Sequence, residues 1–124
     1  MRKKATEFTK RTMDLGENSQ VILIKTAEIK VIKAPRKICF KEFAYPQLDV
    51  NIIELVYLDQ EFAVLVDEEG LYNNWDSKHV IYKENQNTAS FVGNGMIVNI
   101  SETGEVNSLT DEDVEKFNNR YKIK

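Results

Sequence analysis

The sequence predicts an α+β fold, a mainly antiparallel β-sheet with a C-terminal α-helix packed on it. Short runs rich in β-branched residues recur along the chain, and turn residues bound them. The last apolar pattern, after residue 109, has helical spacing and a helix-start signal. The chain has 124 residues and is 42% hydrophobic, which suits one domain with its own core.

The strands are predicted from the apolar runs. The first two runs can pair as a hairpin or form one long bent strand. Asp59 and Gln60 separate the two clearest runs and predict an antiparallel hairpin. The Gly-Asn-Gly sequence at 93–95 lies inside the last run and predicts a bulge or a close backbone approach. The predicted strands span residues 21–25, 29–33, 52–58, 61–66 and 91–100.

Two segments have weaker patterns. Residues 35–45 fit a helix moderately well, with Pro35 suited to the first helical position. Pro46 should end whatever precedes it, because the residue before a proline avoids the helical conformation. Residues 71–89 are rich in asparagine and aromatic residues, and only residues 80–82 hint at a short strand.

The C-terminal helix, at 111–120, is the best-specified element. Thr110 is a good N-cap, and Asp113 occupies the acidic position of a capping box. Leu109 and Val114 occupy the positions of a hydrophobic staple on either side of this cap. An apolar stripe should pack the helix on the sheet, with Phe117 as its anchor. The stripe consists of Val114, Phe117 and Tyr121.

Composition restricts the class of protein. The single cysteine, Cys39, excludes an intrachain disulfide, and no apolar run approaches the length of a membrane helix. We therefore expect a cytoplasmic protein that does not enter membranes. The basic residues 1–19 read as a flexible tail that is dispensable for folding, and residues 20–124 as a single α+β domain.

No catalytic or metal-binding constellation is recognisable. His79 is the only histidine, and its polar surroundings predict a surface loop. Cys39 lies among apolar residues, which predicts a buried thiol that acts as a small hydrophobic side chain. We expect no metal site, no cofactor and no enzymatic activity.

An acidic turn followed by an aromatic loop is the predicted functional surface. The turn covers residues 67–70, and Gly70 is free to adopt positive φ. Acidic side chains would attract a basic partner, and Tyr or Trp would supply the buried contact. The alternative is that Trp75 packs back over the sheet. The predicted partner-binding residues are Asp67, Glu68, Glu69, Tyr72 and Trp75.

Several short segments resemble the family of domain of unknown function 3846. The resemblance covers residues 21–121 and is firmest over 52–118. Members of this family look like small accessory proteins of phages, plasmids and conjugative elements, without an agreed active site. The resemblance therefore implies a context but no functional residue. Its segments are Ile-Glu-Leu-Val-Tyr at 53–57, Ala-Val-Leu-Val-Asp-Glu-Glu-Gly at 63–70, Val-Gly-Asn-Gly-Met-Ile-Val at 92–98 and Ser-Leu-Thr-Asp-Glu-Asp-Val-Glu-Lys-Phe at 108–117.

The first functional hypothesis is a non-enzymatic protein-binding accessory factor of a phage or mobile element. Its concrete form is an inhibitor of a host defence system, an anti-CRISPR or anti-restriction protein that blocks a partner sterically. The partner would be a protein with a basic surface, such as a nucleic-acid-binding defence effector, and we expect no direct nucleic-acid binding. The alternative is a small-molecule or nucleotide-binding module, because apolar pockets leave little trace in sequence.

Overall fold

The computed structural model describes residues 19–70, 78–83 and 86–124, and in these ranges nine strands form two antiparallel sheets. The predicted class, a mainly antiparallel sheet with a C-terminal helix, is confirmed. A π-helical turn, Phe40–Ala44, leads directly into α1 (Tyr45–Leu48), and α2 is Asp111–Arg120. The strands are β1 (Gln20–Ile24), β2 (Ile29–Lys33), β3 (Ile53–Tyr57), β4 (Phe62–Asp67), β5 (Lys78–Lys83), β6 (Gln86–Val92), β7 (Gly95–Ile100), β8 (Val106–Asn107) and β9 (Lys122–Ile123).

The larger, central sheet has six strands, five of them in the order β2-β1-β7-β4-β3. The short strand β8 pairs with the end of β7. The predicted hairpin of β3 and β4 is confirmed, and of the two alternatives left open for the first runs the structure has the hairpin, since β1 pairs antiparallel with β2. The small sheet has the order β6-β5-β9. Among the described residues, no helix is long and apolar enough to cross a membrane.

Two hydrophobic cores lie on opposite faces of the central sheet. Residues 34–50 cover one side, face A, while α2 and the small sheet cover the other, face B. Side chains of a strand alternate between faces, so Leu23 and Leu65 enter the first core, and Ile22 and Val64 the second. Strands β1, β4 and β7 are buried on both faces, which explains their nearly unbroken apolar sequences.

The predicted strand at 91–100 is wrong, because the chain changes sheets inside it. Residues up to Val92 belong to β6 in the small sheet, and β7 begins at Gly95 in the central sheet. Gly93 has φ 95°, a left-handed conformation that suits glycine and turns the chain between the sheets. Asn94 is buried there and donates from Nδ2 to the carbonyl oxygen of Leu48 at 2.9 Å.

The structure also differs from the predictions in residues 35–45 and in the described part of residues 71–89. The helical region starts at Phe40, and Pro46 lies in the first turn of α1, where the φ fixed by its ring is compatible with a helical turn. It therefore does not end the helical region. The hint at residues 80–82 is part of β5, a six-residue strand that pairs with the seven residues of β6.

The predicted cap and anchor of α2 are confirmed. Thr110 and Asp113 form a reciprocal capping box, with both hydrogen bonds at 3.0 Å. Phe117 is 1% exposed and packs edge-on against Phe62, with 5.6 Å between ring centroids. Tyr121 lies beyond the helix in an extended conformation, yet its buried ring remains 5.0 Å from that of Phe117.

Candidate functional site

A cleft of about 360 Å³ separates the two sheets on face B; it is called the junction cleft below. Its apolar lining comes from Val56 and Val66 on neighbouring strands of the central sheet and from Phe91 on β6. The pairing of Glu54 with Val66 places the glutamate side chain on the same side of the hairpin. The charged residues of the lining are Glu54, Asp67, Glu68 and Lys78.

Two glycines allow the sheets to approach at this cleft. A Cβ atom on Gly95 would lie 2.7 Å from the ring of Phe91, so the absence of a side chain lets that ring lie over β7. A Cβ atom on Gly70 would lie 2.8 Å from the carbonyl oxygen of Val92. Gly70 does not use its freedom to adopt positive φ, since the positive-φ glycines in the described ranges are Gly93 and Gly104. Gly70 is required for close packing.

The acidic turn predicted from the sequence borders the junction cleft. Asp67 ends β4, is 5% exposed, and accepts a hydrogen bond from the Glu69 N–H on Oδ1 at 2.9 Å. The Gly70 N–H donates to the Asp67 carbonyl oxygen at 3.0 Å and closes the turn. Glu68 is exposed and lines the cleft, whereas Glu69 is half-buried. Asp67 therefore shapes the turn, and Glu68 presents a carboxylate to solvent.

The aromatic residues of the predicted surface, Tyr72 and Trp75, lie outside the described residues. The segment that contains them, 71–77, follows Gly70 and precedes Lys78. Both flanking residues line the junction cleft. The proposed contact role of the two aromatic side chains stays a prediction.

Sequence reasoning missed two charged residues of the cleft, Glu54 and Lys78. Glu54 had only an approximate signal, because a two-residue turn at Asp59 and Gln60 would pair residue 54 with residue 65, whereas the observed hairpin pairs it with Val66. Lys78 had none, since its position depends on how the small sheet meets the central sheet.

The sequence of the chain matches a known protein family. A family model described as domain of unknown function (DUF3846) matches residues 21–122. The chain belongs to this family. The match begins in β1 and ends in β9, so the junction cleft lies entirely within the DUF3846 domain. No curated protein and no solved structure is significantly similar to the chain.

Two further predictions for this DUF3846 domain are wrong. His79 is not on a surface loop but on β5, 7% exposed, with Nδ1 3.2 Å from the Lys124 carbonyl oxygen. The carbonyl can only accept, so Nδ1 carries the proton, and Nε2 is buried with no hydrogen-bond partner among the described residues. Cys39 is exposed, because the chain there is extended and alternation buries its neighbour Ile38 instead.

A second polar cluster of the DUF3846 domain ties α2 to the β3–β4 turn. Arg120 donates to Asp59 at 3.0 Å and to Glu61 at 2.6 Å, and Lys116 lies 3.2 Å from Glu61. The hydrogen bonds from Arg120 and Lys116 hold the pKa of Glu61 below its usual value. These contacts satisfy one another, which indicates a structural role. In the described part of the chain, no group of three or more His, Cys, Asp or Glu residues is placed to hold a metal ion.

Proposed function

We propose that this DUF3846 domain is a non-enzymatic protein-binding module that takes a basic segment of its partner into the junction cleft. The observation that carries the proposal is the combination of an apolar lining with an acidic rim. Val66 and Phe91 are buried beneath the opening, while Glu54 and Glu68 are exposed beside it. A lysine or arginine side chain fits such a surface, because its stem is apolar and its end is charged.

Charge supports a basic partner. Among the described residues, three acidic residues and one lysine line the cleft, so these charged groups are predominantly negative. Such a rim would accelerate encounter with a positive surface and disfavour acidic partners. The predicted aromatic contacts, Tyr72 and Trp75, belong to the segment that begins beside the acidic turn. Together they would supply the buried anchor that charged rims generally lack.

The proposed identity of the partner is a nucleic-acid-binding protein of a host defence system. In this proposal the domain acts in the cytoplasm as a phage or mobile-element factor, with anti-CRISPR or anti-restriction activity. An acidic surface can occupy a channel that otherwise holds a nucleic acid, and such inhibition needs no active site. Cells that express the domain should then lose CRISPR interference or restriction of an infecting phage. Unchanged protection by a panel of such systems would contradict the proposed identity of the partner. The proposal that the cleft binds a basic protein segment is tested separately.

The cleft is tested by charge reversal. Affinity capture with chemical cross-linking would provide the partner, which is then purified and titrated against the full chain. Glu54→Lys/Glu68→Lys should slow association, flatten its salt dependence and weaken affinity at least about tenfold. The control Glu102→Lys/Glu115→Lys changes the net charge equally at exposed positions of a turn and of α2. Equal affinity of the two double variants would contradict the proposal.

The aromatic part of the proposal has a paired test. Trp75→Ala should speed dissociation and cost at least about 2 kcal/mol of binding, as a hot spot would, while the melting temperature stays unchanged. Both measurements are made on one preparation. Lost stability with unchanged affinity would assign Trp75 to the core instead.

A small-molecule or nucleotide-binding module is the second candidate. The volume of the junction cleft, about 360 Å³, falls in the range of small-ligand pockets, and a few polar groups converge on its apolar lining. Native mass spectrometry of the purified chain discriminates between the candidates. A bound metabolite that Glu54→Lys/Glu68→Lys releases would support this candidate and count against a cleft built for a protein segment.

A further inference from the structure

Strand β2 (Ile29–Lys33) forms an open edge of the central sheet. It pairs with β1 on one side, and none of the described strands pairs with its other side. Ile29 and Val31 are 47% and 48% exposed, although both are aliphatic residues of an ordered strand. Their β1 partners, Ile24 and Ile22, belong to the core on face B. The apolar surface of that face therefore continues onto the uncovered edge.

The backbone of β2 is oriented for a further strand. The Lys25 N–H donates to the backbone carbonyl oxygen of Glu28 at 2.8 Å, and the Ala34 N–H donates to the backbone carbonyl oxygen of Ser19 at 3.1 Å. Bonded and non-bonded pairs alternate in an antiparallel ladder, so these two bonds fix the alternation between them. The pairs Ile24–Ile29, Ile22–Val31 and Gln20–Lys33 are then the non-bonded ones. The N–H and C=O groups of Ile29, Val31 and Lys33 consequently point away from β1.

Charge distinguishes this edge from a plain apolar strand. Lys30 and Lys33 are both exposed on β2, and the basic sequence continues through Arg36 and Lys37 just after it. Glu28 lies 3.3 Å from Lys30 and is the acidic residue of this stretch. These basic residues do not line the junction cleft. Two of them, Lys30 and Lys33, belong to the strand whose backbone groups point outward.

We propose that β2 is a strand-addition site for an extended acidic segment of a partner protein. Such a segment would exchange main-chain hydrogen bonds with Ile29, Val31 and Lys33, while its alternate apolar residues cover the exposed aliphatic side chains. Acidic residues facing Lys30 and Lys33 form the cross-strand ion pairs that favour this register.

The same charges argue against other occupants. Lysine on an edge strand opposes pairing with a like edge, so a second copy would bring two basic strands together. Single-stranded nucleic acid requires stacking platforms, and β2 has no aromatic residue. An acidic strand would form hydrogen bonds with the backbone groups, cover the aliphatic side chains and form ion pairs with the lysines at the same time.

This inference is independent of the proposed function of the cleft. Strands β2 and β3 are opposite edges of the central sheet, and the junction cleft lies at the β3–β4 side. Variants at one site therefore leave the other unaltered, and the failure of either proposal does not imply failure of the other.

The probe is a blocked peptide whose central residues read Glu-Val-Ile-Glu-Val, which places glutamates opposite Lys33 and Lys30 in an antiparallel pairing with β2. One control peptide has lysine in place of both glutamates, and a second carries N-methyl groups on alternate peptide bonds so that its backbone cannot pair. Binding to the isotope-labelled full chain is followed by fluorescence anisotropy and by amide chemical shifts. The glutamate peptide should bind at least about tenfold more tightly than either control, with shifts centred on residues 29–33.

A charge swap completes the test. Lys30→Glu/Lys33→Glu should reverse the preference and bind the lysine peptide, whereas the matched control Lys41→Glu/Lys83→Glu, at exposed positions elsewhere, should behave as the unaltered chain. Absence of binding at millimolar peptide, or shifts away from β2, would overturn the proposal. Concentration-dependent dimerisation through β2 in place of peptide binding would identify a second copy as the occupant, and shifts at β2 with an oligonucleotide alone would identify nucleic acid. Either result also overturns the proposal.

Discussion

The hydroxyl group of Tyr121 donates a 2.5 Å hydrogen bond to Oδ2 of Asp59, and this bond joins the end of α2 to the β3–β4 turn. The other carboxylate oxygen, Oδ1, accepts from the backbone N–H groups of Glu61 and Phe62 at 2.7 and 2.8 Å. Burial disfavours the ionised form of Asp59, but these hydrogen bonds and the one from Arg120 outweigh it and lower its pKa. One carboxylate therefore stabilises a turn and a helix end together.

Low pH should lower the free energy of unfolding through protonation of Asp59. A lowered pKa in the folded state means that the stabilisation is complete above the ordinary aspartate pKa of about 4 and is lost as pH falls through the lowered value. Asp59→Asn should reduce the free energy of unfolding at pH 7 and flatten its decrease below about pH 5. Urea denaturation across pH 3–7 measures this. Glu102→Gln, outside the cluster, leaves Asp59 in place and should keep the decrease; a parallel offset of the Asp59→Asn curve at every pH would contradict the prediction.

High pH should lower the free energy of unfolding through ionisation of Tyr121. Burial, followed by the hydrogen bond to Asp59 and its charge, raises the pKa of the Tyr121 phenol well above its usual value. The stabilisation is therefore complete below the ordinary tyrosine pKa of about 10 and is lost as pH rises beyond it. Tyr121→Phe should lower stability at pH 8 and reduce the alkaline loss. Tyr57→Phe, at an exposed position on β3, is the control that should retain the loss.

Arg120 and Lys116 should differ in their contributions, although both contact Glu61. Arg120 also bonds Asp59, and its guanidinium carbon lies 5.5 Å from the centre of the Phe62 ring. The Lys116 pair is a more exposed, single contact. We expect Arg120→Gln to cost about 1–2 kcal/mol of unfolding free energy and Lys116→Gln less than about 0.5 kcal/mol. Equal losses in urea titrations would show that the contacts with Asp59 and Phe62 contribute nothing.

Local sequence signals predicted the elements whose determinants are near in sequence. The β3–β4 hairpin and the capping box of Thr110 and Asp113 each use residues a few positions apart, and both are present, although the hairpin loop includes Glu61 besides Asp59 and Gln60. The apolar run at 91–100 was predicted to be one strand because β6 and β7 both bury side chains, so the apolar pattern continues across the change of sheet. Gly93, at φ 95°, is where the chain turns from one sheet to the other.

The candidate site was predictable only in part, because two sheets build it. Glu68 belongs to a recognisable turn. The register that places Glu54 near it is shifted by one residue from that of a two-residue turn at Asp59 and Gln60. Lys78 and Phe91 reach the cleft from the small sheet, whose position no local pattern encodes. The burial of His79 has the same origin, since the ring packs 5.5 Å from that of Phe91.

Phe117 should be the strongest single anchor of α2. Its ring is almost fully buried between those of Phe62 and Tyr121. Phe117→Ala should cost about 3–5 kcal/mol, because it leaves a cavity among rigid aromatic neighbours. Asn118→Ala, on the exposed side of the same helix, should change the unfolding free energy by less than about 0.5 kcal/mol. Similar values for the two variants would mean that α2 is not held by this contact.

Gly95 and Phe91 should be energetically coupled, since the ring occupies the space where a Gly95 side chain would lie. Without that ring, alanine would be tolerated in a strand at least as well as glycine. We expect Gly95→Ala to cost about 1–3 kcal/mol in the unaltered chain, as overpacking does, and much less in a Phe91→Leu background. Urea denaturation of the four chains of this double-mutant cycle should give a coupling of about 1 kcal/mol or more.

Gly104 provides the control for this cycle. It has φ 89°, and apart from Gly104 and its two chain neighbours no atom of the described residues lies within 4 Å of the position that an alanine methyl group would take, so Gly104→Ala costs stability through backbone strain alone. That cost should be the same with Phe91 and with Leu at position 91, because no contact links the two sites. A Gly95→Ala cost that likewise ignores the residue at 91 would show that the clash with the Phe91 ring does not limit the approach of the sheets. The shape of the junction cleft would then depend on the Gly70 contact with Val92 instead.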